Sequence, residues 1–461
     1  MSKQKTPWLW VPTLYFAEGI PYFIVNVVSV TMFKRLGMGN ADLAMYTSLL
    51  YLPWVIKPLW SPLVDVVRTK RWWIVSMQAL MTVCFTAIAL GLPSRTGEPV
   101  SAFSICLIFF YLTAMLSATH DIAADGYYML ALDEHQQSLF VGIRSTFYRV
   151  ASVFGQGVIV VVAGLLEVRL GDIPRAWTAT LLFSAALFLA ITVWHQFILP
   201  EEVPSATGKG PAICGGSAPK SPAAPDLPTS PRSGSVPVSA VHAEACSEPA
   251  RSFLSAFATF FRKPGVGLAI IFMLLYRLPE ALSVKMLTPF LLDPTEAGGL
   301  GLSTAQSGLV YGTVGVIALT IGGILGGIWS AKVGLRKALW PMALALALPC
   351  SVYLYMALAQ PSNLLTIYFC VALDQFGYGF GFTAYMLYMI WFSQGEYSTS
   401  HYAVCTAFMA LSMMIPGFFA GMLQEALGYA GFFVLVMFCC LATVAVTAFL
   451  PSRIDPGYGQ K

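Results

Sequence analysis

Long apolar runs constrain this chain more than any other feature of its sequence. An α-helix needs ~20 apolar residues to cross the hydrocarbon of a bilayer, and twelve such runs follow one another along the 461 residues. Only 10% of the residues are charged, against roughly 25% in soluble domains. The sequence therefore predicts an all-α membrane protein and excludes a soluble globular fold. The predicted spans are 8–32, 43–63, 72–92, 102–132, 139–165, 176–199, 265–292, 305–328, 338–358, 364–392, 403–427 and 432–450.

The predicted spans fall into two sets of six, in residues 1–199 and 263–461. Residues 200–251, between the sets, are rich in Pro, Ala, Ser and Gly and contain no aromatic residue, which predicts a flexible linker. Phenylalanines recur at helical spacing in residues 252–262 and predict an amphipathic helix. This helix either lies on the membrane surface or packs on the underside of the second bundle. Two pseudo-symmetric six-helix bundles are typical of transporters with a substrate path between the halves.

Lys and Arg are distributed unevenly among the predicted loops. If both termini are cytoplasmic, sixteen of the 26 Lys and Arg fall on the cytoplasmic side, five on the other side and five within spans. Because cytoplasmic loops carry an excess of basic residues, we predict that both termini are cytoplasmic. The net charge of +4 reflects this distribution and gives no indication of nucleic-acid binding. The nine cysteines match no metal-ligand spacing, and neither a metal nor a cofactor is predicted.

Two neighbouring spans carry ionisable side chains at a depth where a charge costs at least ~2.5 to 3.5 kcal/mol. Asp121 and Asp125 lie in the fourth span, and Arg144 and Arg149 lie in the fifth. If residues 133–137 form the bend of a helical hairpin, residues at equal depth have a constant sum of residue numbers. This rule pairs Asp121 with Arg149 and Asp125 with Arg144. The sequence thus predicts a charged patch inside the membrane, which is either a fixed lock or a coupling site.

Three further spans carry acids or bases within apolar sequence. Glu18 is next to glycine and near proline in the first span, and Asp374 lies among alternating glycines in the tenth. Arg277 and Glu280, three residues apart in the seventh span, can pair along one helix. In a duplicated fold the seventh span corresponds to the first, which places Glu18 and Glu280 on opposite walls of a central cavity. The alternative is that these groups are hydrogen-bonded or paired within the helix packing.

A short polar motif recurs at equivalent places in the two halves. It resembles the cytoplasmic signature of the major facilitator superfamily, in which a glycine and an aspartate precede basic residues between helices two and three and between helices eight and nine. The first copy has Ser61 in the glycine position, and the second has Ala331 in the aspartate position. The resemblance implies a gating loop, and a basic cytoplasmic loop is the alternative. The candidates for this loop are Asp65, Arg68, Arg71, Lys332, Arg336 and Lys337.

The segments LPWVIKPLWSPLVD (52–65), ATHDIAADGY (118–127) and FAEGIPY (16–22) carry a more specific resemblance. They are similar to the second, fourth and first helices of AmpG-type permeases, which belong to the peptide and acetyl-coenzyme A transporter group. This resemblance implies a bacterial inner-membrane carrier that imports anhydro-muropeptides with protons. Related branches are thought to carry siderophores or acyl-coenzyme A. Glu18 and the long linker depart from the pattern of the muropeptide carriers.

From these observations we predict a monomeric, proton-coupled importer of a small molecule that works by alternating access and is not an enzyme. A membrane-embedded acyltransferase with His120 and Asp125 as its base and orienting group is the rival prediction. A receptor is a third, but the only soluble stretch lacks a core. The candidates for proton coupling are Glu18, Asp121, Asp125, Glu280 and Asp374. The candidates for substrate binding are Arg144, Arg149, Arg277, Tyr127, Tyr148, Tyr276 and Gln375.

Overall fold

The computed structural model describes residues 6–132, 134–200, 257–395, 397–456 and 458. Apart from residue 200, the predicted linker lies outside the described residues, as do residues 252–256 of the predicted amphipathic helix. Helices make up nearly all of the described chain, and no β-strand occurs in it. Nine helices of the described chain are long and apolar enough to cross a bilayer. The last of them turns at Gly428, where a φ of 67° separates two membrane helices.

With this division, and with two further helices, the described part of the chain has the predicted twelve spans. The first six are α1 (Pro7–Arg35), α2 (Asn40–Leu49, Leu52–Ile56 and Ser61–Val66), α3 (Lys70–Leu90), α4 (Val100–Ala131), α5 (Glu134–Val153, Phe154–Ile159 and Val160–Leu170) and α6 (Ile173–Ile198). The second six are α7 (Val266–Leu292), α8 (Thr304–Val333), α9 (Leu335–Ala359), α10 (Leu364–Ser393), and α11 and α12, the two arms of Ser398–Ala448.

Proline breaks two helices close to the centre of the molecule. In α2, Pro53 and Pro58 stand in the first turns of two successive short segments, so the predicted continuous span is a chain of short helical pieces. In α7, the helix stops at Leu275 and starts again at Leu278, with Pro279 in the first turn of the second part. A proline has no backbone N–H to donate and therefore interrupts the helical ladder. These breaks place Lys57 and Arg277 at the ends of short helical segments.

The contacts between the two bundles follow the predicted duplication. Outside their own bundles, α2 packs mainly against α11, and α5 packs against α8. A shift of six helices converts α2 into α8 and α5 into α11, so the two contacts are equivalent under pseudo-symmetry. Buried clusters of apolar side chains lie in each bundle, and one cluster of the second bundle also includes Ala44 of α2. The all-α membrane fold of two pseudo-symmetric six-helix bundles, predicted from the sequence, is confirmed.

Glycines allow α5 and α8 to approach closely where both helices widen into π-helical turns. A Cβ on Gly312 would collide with the backbone of Gln156, whereas a Cβ on Gly327 of the same helix would meet nothing within 4 Å. We therefore expect Gly312→Val to lower the free energy of unfolding by about 1 to 3 kcal/mol, the usual cost of overpacking. Gly327→Val is the matched control. Thermal melting in detergent measures both, and equal melting temperatures would contradict the tight contact.

The described part of the predicted amphipathic helix packs against the second bundle. Phe260 is fully buried, and its ring lies 5.6 Å from the ring of Phe392 and 5.7 Å from that of His401. Lys263 follows and donates to the backbone carbonyls of Phe392 at 2.6 Å and Gln394 at 2.7 Å. Burial lowers the pKa of Lys263. These contacts attach the segment before α7 to the end of α10.

Candidate functional site

A cavity of about 770 Å³ lies between the two bundles. Its walls come from α1, α2 and α5 of the first bundle and from α7, α8, α10 and α11 of the second. Most of the lining is aromatic or apolar, with a small set of charged groups among it. The charged residues of the wall are Glu18, Lys57, Arg144, Arg149, Arg277 and Glu280. Tyr148 and Gln375, two other predicted substrate-binding residues, also line the cavity.

The first bundle holds two ion pairs beside the cavity. Arg144 Nη2 lies 2.7 Å from Asp125 Oδ1, so the predicted pairing of these two residues is confirmed. The predicted pairing of Asp121 with Arg149 is wrong, because Asp121 forms its ion pair with Lys57 of α2. The side chains of Arg144 and Asp125 are partly exposed, at 31% and 37%.

Helix geometry explains why only one predicted pair forms. Successive residues of an α-helix are rotated by about 100°, so Asp121 and Asp125, four apart, point within about 40° of each other. Arg144 and Arg149 are five apart and point about 140° away from each other. Both arginines therefore cannot face α4. The constant sum of residue numbers predicts how deep each residue lies in the membrane. It does not predict the side of the helix from which the side chain projects.

Glu18 is the surplus acid of this bundle. It lies close enough to Asp121, Asp125 and Arg144 to interact with them electrostatically. Its side chain is buried, and Oε2 has no hydrogen-bond partner. Three carboxyl groups thus share two cations, Lys57 and Arg144. An unpaired buried carboxylate is costly, and a proton bound to Glu18 would remove that cost without a third cation.

The second bundle holds a compact pair on the opposite wall. Arg277 donates from Nε to Glu280 at 2.7 Å and from Nη2 to the same carboxylate at 2.8 Å. Nη2 also donates to the hydroxyl of Tyr378 at 2.9 Å, and the ring of Phe382 lies 4.7 Å from the guanidinium carbon. The two bonds to Glu280 satisfy much of this guanidinium within the protein. Glu18 and Glu280 lie on opposite walls, as the duplication predicts.

Arg149 is the cavity guanidinium that has no acid beside it. Its Nη1 donates to the hydroxyl of Thr320 on α8 at 3.3 Å. None of the ion pairs found among the described residues includes Arg149. A guanidinium has five N–H donors, so most of those on Arg149 are free to bind a ligand. The arginine bridges the two bundles at the centre of the chamber.

Five predicted site residues lie off the cavity wall. Two of them, Asp121 and Asp125, pair with lining residues, and the other three lie further away. Asp374 accepts from the hydroxyl of Tyr353 at 2.6 Å and from Gln375 at 3.1 Å within the core of the second bundle. Tyr127 donates to the carbonyl of Pro200 at 2.9 Å. Tyr276 donates to the carbonyl of Gly381 at 3.0 Å. Each side chain is buried against its own bundle because it points away from the other one.

His120 and Asp125, the pair of the rival enzymatic prediction, do not face each other. His120 Nε2 lies 2.9 Å from Gln78, which also contacts His195 at 2.9 Å. Asp125 faces Arg144 and accepts from the hydroxyl of Tyr15 at 3.3 Å. The histidine and the aspartate are five residues apart and therefore lie about 140° apart around α4. His120 belongs to a buried hydrogen-bond network and does not line the cavity.

The predicted gating-loop residues lie at the end of the molecule that carries the termini. Arg71 donates to the carbonyl of Gln196 at 2.6 Å, and the guanidinium of Arg68 lies 5.9 Å from the ring centroid of Trp72. The side chain of Asp65 lies outside the described part of the structure. The three remaining candidates are exposed: Lys332, Arg336 and Lys337.

At the opposite end, which we call the far end, polar contacts join the bundles. Lys34 pairs with Asp293 at 2.6 Å. Asn40 donates to Gln424 at 2.6 Å and to the hydroxyl of Tyr429 at 3.1 Å. A second contact joins α5 to α8, where Glu167 accepts from Thr304 at 2.7 Å. The far end is therefore closed in this structure. Arg144 lies nearer the other end, which carries the termini, and its side chain is 31% exposed.

Sequence reasoning missed Lys57 and most of the aromatic wall as site residues. Lys57 is a charged residue within an apolar span, and the same feature identifies the candidate acids. Tyr15 and Tyr22 lie three and four residues from Glu18, spacings that put all three on one helix face. If Glu18 lines a cavity, this spacing predicts that both tyrosines line it too. Tyr51, Tyr311 and Tyr378 complete this wall.

The ion pair between Lys57 and Asp121 gives a test of the cluster. Removing one member of a buried pair leaves an uncompensated charge, which costs about 3 to 5 kcal/mol when burial is complete. These side chains are partly exposed, so we expect a smaller loss for Lys57→Met, and a partial recovery in the double variant with Asp121→Asn. Thermal melting measures both, with the exposed Arg175→Gln as control. A double variant less stable than Lys57→Met would contradict the pairing.

Comparisons with known proteins agree with this architecture. A family model described as the BT1 family matches residues 18–166. The putative transporter AmpG 4 of Rickettsia felis is 22% identical over 451 residues, which cover 96% of this chain and 96% of that protein. The anhydromuropeptide permease of Escherichia coli K12 is 23% identical over 427 residues, which cover 91% of this chain and 74% of the permease. The resemblance to AmpG-type permeases is thereby confirmed over nearly the whole chain.

Solved transporter structures share the fold. A bacterial homologue of the human lysosomal transporter Spinster, in an inward-facing and unoccupied conformation, aligns with a TM-score of 0.67 at 14% identity, covering 98% of this chain and 95% of that one. A D-xylose-proton symporter aligns with a TM-score of 0.64 at 14% identity, covering 97% and 98%. The chain therefore has the major facilitator fold. Relatives named as transporters match it over nearly its whole length and indicate a multi-pass membrane transporter.

Proposed function

We propose that this transporter imports anhydro-muropeptides, or a closely related sugar-peptide, across the bacterial inner membrane together with protons. The single observation that carries the proposal is Arg149, a cavity guanidinium with no acidic partner among the described residues. Guanidinium binds carboxylates through two parallel hydrogen bonds. A cargo with a carboxylate supplies the partner that the protein does not. The E. coli relative named for anhydromuropeptides supports this cargo class.

The size and walls of the chamber support a sugar-containing cargo. Ligand sites commonly enclose about 300 to 1,000 Å³, and this chamber encloses about 770 Å³. Aromatic rings line it from both bundles, with Tyr148 on α5 and Tyr378 on α10. Such rings present flat apolar faces on which sugar rings pack. Polar side chains between them, such as Gln375, are suited to hydroxyl and amide groups.

Glu18 is the proposed proton carrier. Polar contacts join the bundles at the far end, and our mechanism assigns the opening of the chamber to the end with the termini. With cytoplasmic termini this is the inward-facing state. In our mechanism, a proton on Glu18 and a cargo anion on Arg149 enter together from the far side. The bundles then rock about the chamber, as in other transporters built from two repeats. Deprotonation of Glu18 toward the cytoplasm leaves three carboxylates sharing two cations, which weakens the inward-facing state.

Siderophore or acyl-coenzyme A import is the alternative within the same mechanism. The membrane-embedded acyltransferase is less well supported, because His120 does not line the chamber. We also propose that the carrier works as a monomer, because the whole chamber is formed within one chain.

Uptake into vesicles reconstituted with the pure protein tests the proposed function. Labelled anhydro-muropeptide, siderophore and acyl-coenzyme A are offered separately, with and without an imposed pH gradient. We expect anhydro-muropeptide to accumulate unmodified, and a protonophore to abolish the accumulation. Accumulation of another cargo alone would overturn the proposed cargo, and a chemically altered product would favour the enzyme. Empty vesicles provide the control.

A further inference from the structure

A second cation without an acidic partner lies buried between the bundles. Lys285 of α7 is 6% exposed, and its Nζ donates to the hydroxyl of Thr47 on α2 at 3.1 Å. The same nitrogen lies 5.5 Å from the ring centroid of Tyr51. None of the ion pairs among the described residues includes Lys285. A buried ammonium without a counterion is costly, and an anion bound beside Lys285 during transport would remove that cost.

Lys285 lines a small pocket of about 20 Å³. This volume holds about one water molecule and no carboxylate. The pocket adjoins the main chamber, because the walls of both share five residues: Val27, Tyr51, Val284, Tyr311 and Met413. Lys285 and Thr288 lie after Glu280 on α7, in the direction of the closed far end. The pocket therefore lies next to the chamber, on the side of the far end.

Unsatisfied polar atoms accompany the lysine. Asn26 lines the same pocket, and its Nδ2 donates to the carbonyl of Tyr22 at 3.1 Å, while its Oδ1 is buried without a partner. The hydroxyl of Ser48 is also buried without a partner. This hydroxyl and the stem of Lys285 both adjoin Gly417. A cationic donor and an unpaired acceptor thus meet at one place between the bundles.

This combination fits a particular chemical group. An ammonium binds a carboxylate, and an amide oxygen accepts from an N–H. The carboxyl end of a peptide, or an acylated amino acid, carries a carboxylate and an amide N–H on the same carbon. Arg149 is one such carboxylate site in the centre of the chamber. Lys285 with Asn26 forms a second one, closer to the far end.

We propose that the Lys285 pocket is a second anion subsite, which binds a peptide carboxylate of the cargo when the bundles separate at the far end. The bond from Lys285 to Thr47 crosses between the bundles, so separation breaks it and opens the pocket to water. A bound carboxylate neutralises the lysine before the far end closes. The subsite therefore selects cargo that carries a peptide. Its assignment to peptide cargo rests on the proposed function.

Uptake of two probes tests the selectivity. One probe is an anhydro-sugar with its single carboxylate, and the other is the same sugar carrying its peptide. We expect Lys285→Gln to raise the KM of the peptide-bearing probe at least about tenfold more than that of the sugar alone. Arg149→Gln should impair both probes, and Arg169→Gln, an exposed charge removed on α5, provides the control. Equal changes for the two probes after Lys285→Gln would overturn the subsite.

If wild-type protein takes up neither probe, only the proposed cargo is refuted. A distance measurement then tests the role of Lys285 independently of uptake. Spin labels at exposed positions 96 and 296 report the separation of the bundles at the far end. Without cargo, loss of the buried charge in Lys285→Gln should shift the distances toward the short, closed-state values. Distances identical to those of wild type would show that Lys285 places no charge penalty on closure. The labels are introduced in a cysteine-free background.

Discussion

Arg149→Gln is expected to reduce uptake of the carboxylate cargo about 100-fold. Two charge-assisted hydrogen bonds are lost, together worth about 3 kcal/mol, which is a factor of about 100 in affinity. Arg149→Lys keeps the charge but loses the two-pronged geometry, so we expect an intermediate loss near tenfold. Initial uptake rates in reconstituted vesicles measure both variants.

The stability of Arg149→Gln should stay near that of wild type, because Arg149 donates only to Thr320 among the described residues. This separates a binding role from a folding role. Unchanged uptake would remove Arg149 from the binding site. A variant that melts far below wild type would assign the arginine to the packing of α5 against α8.

Glu18→Gln is expected to abolish accumulation driven by a pH gradient while leaving exchange of cargo across the membrane intact. The glutamine keeps the shape of the side chain and cannot release a proton. It leaves Asp121 and Asp125 matched by Lys57 and Arg144, so the cluster is balanced and the protein should fold normally. Vesicle assays measure both activities, one with an imposed pH gradient and one with equal pH and preloaded cargo.

Glu296→Gln, an exposed acid at the far end, is the matched control for this prediction. It should accumulate cargo like wild type. If Glu18→Gln still accumulates cargo against its gradient, Glu18 is not the proton carrier. If Glu18→Gln loses exchange as well, the carboxyl is needed for binding or for the movement of the bundles.

The apolar runs and the duplication were sufficient to predict the fold, because bilayer thickness dictates helix length and helices must bury their backbone polar groups. The sequence also identified most of the charged cavity residues, since ionisable groups inside a membrane rarely face lipid. The direction of each side chain was harder to predict. Tyr127 and Tyr276 are polar aromatic residues near charged groups, as expected of a binding site, but their side chains point into their own bundles.

The partners of charged groups on different helices depend on rotation as well as depth. Lys57 comes from a helix broken at prolines, and the turn that brings it to Asp121 has no signature in the spacing of charges. Arg149 donates to Thr320 of the other bundle. The constant-sum rule compares residues of one hairpin and therefore cannot predict this contact. Lys285 is not predicted as a site residue, because the sequence offers no acid that pairs with it.

Direct binding of cargo to the purified protein tests the central claim, that the uncompensated guanidinium of the chamber holds the cargo anion. Labelled anhydro-muropeptide is titrated into detergent-solubilised wild-type protein and into Arg149→Gln at equilibrium, without any gradient. The account predicts saturable binding to wild type and a Kd about 100-fold weaker in the variant. The same Kd for both proteins would contradict it.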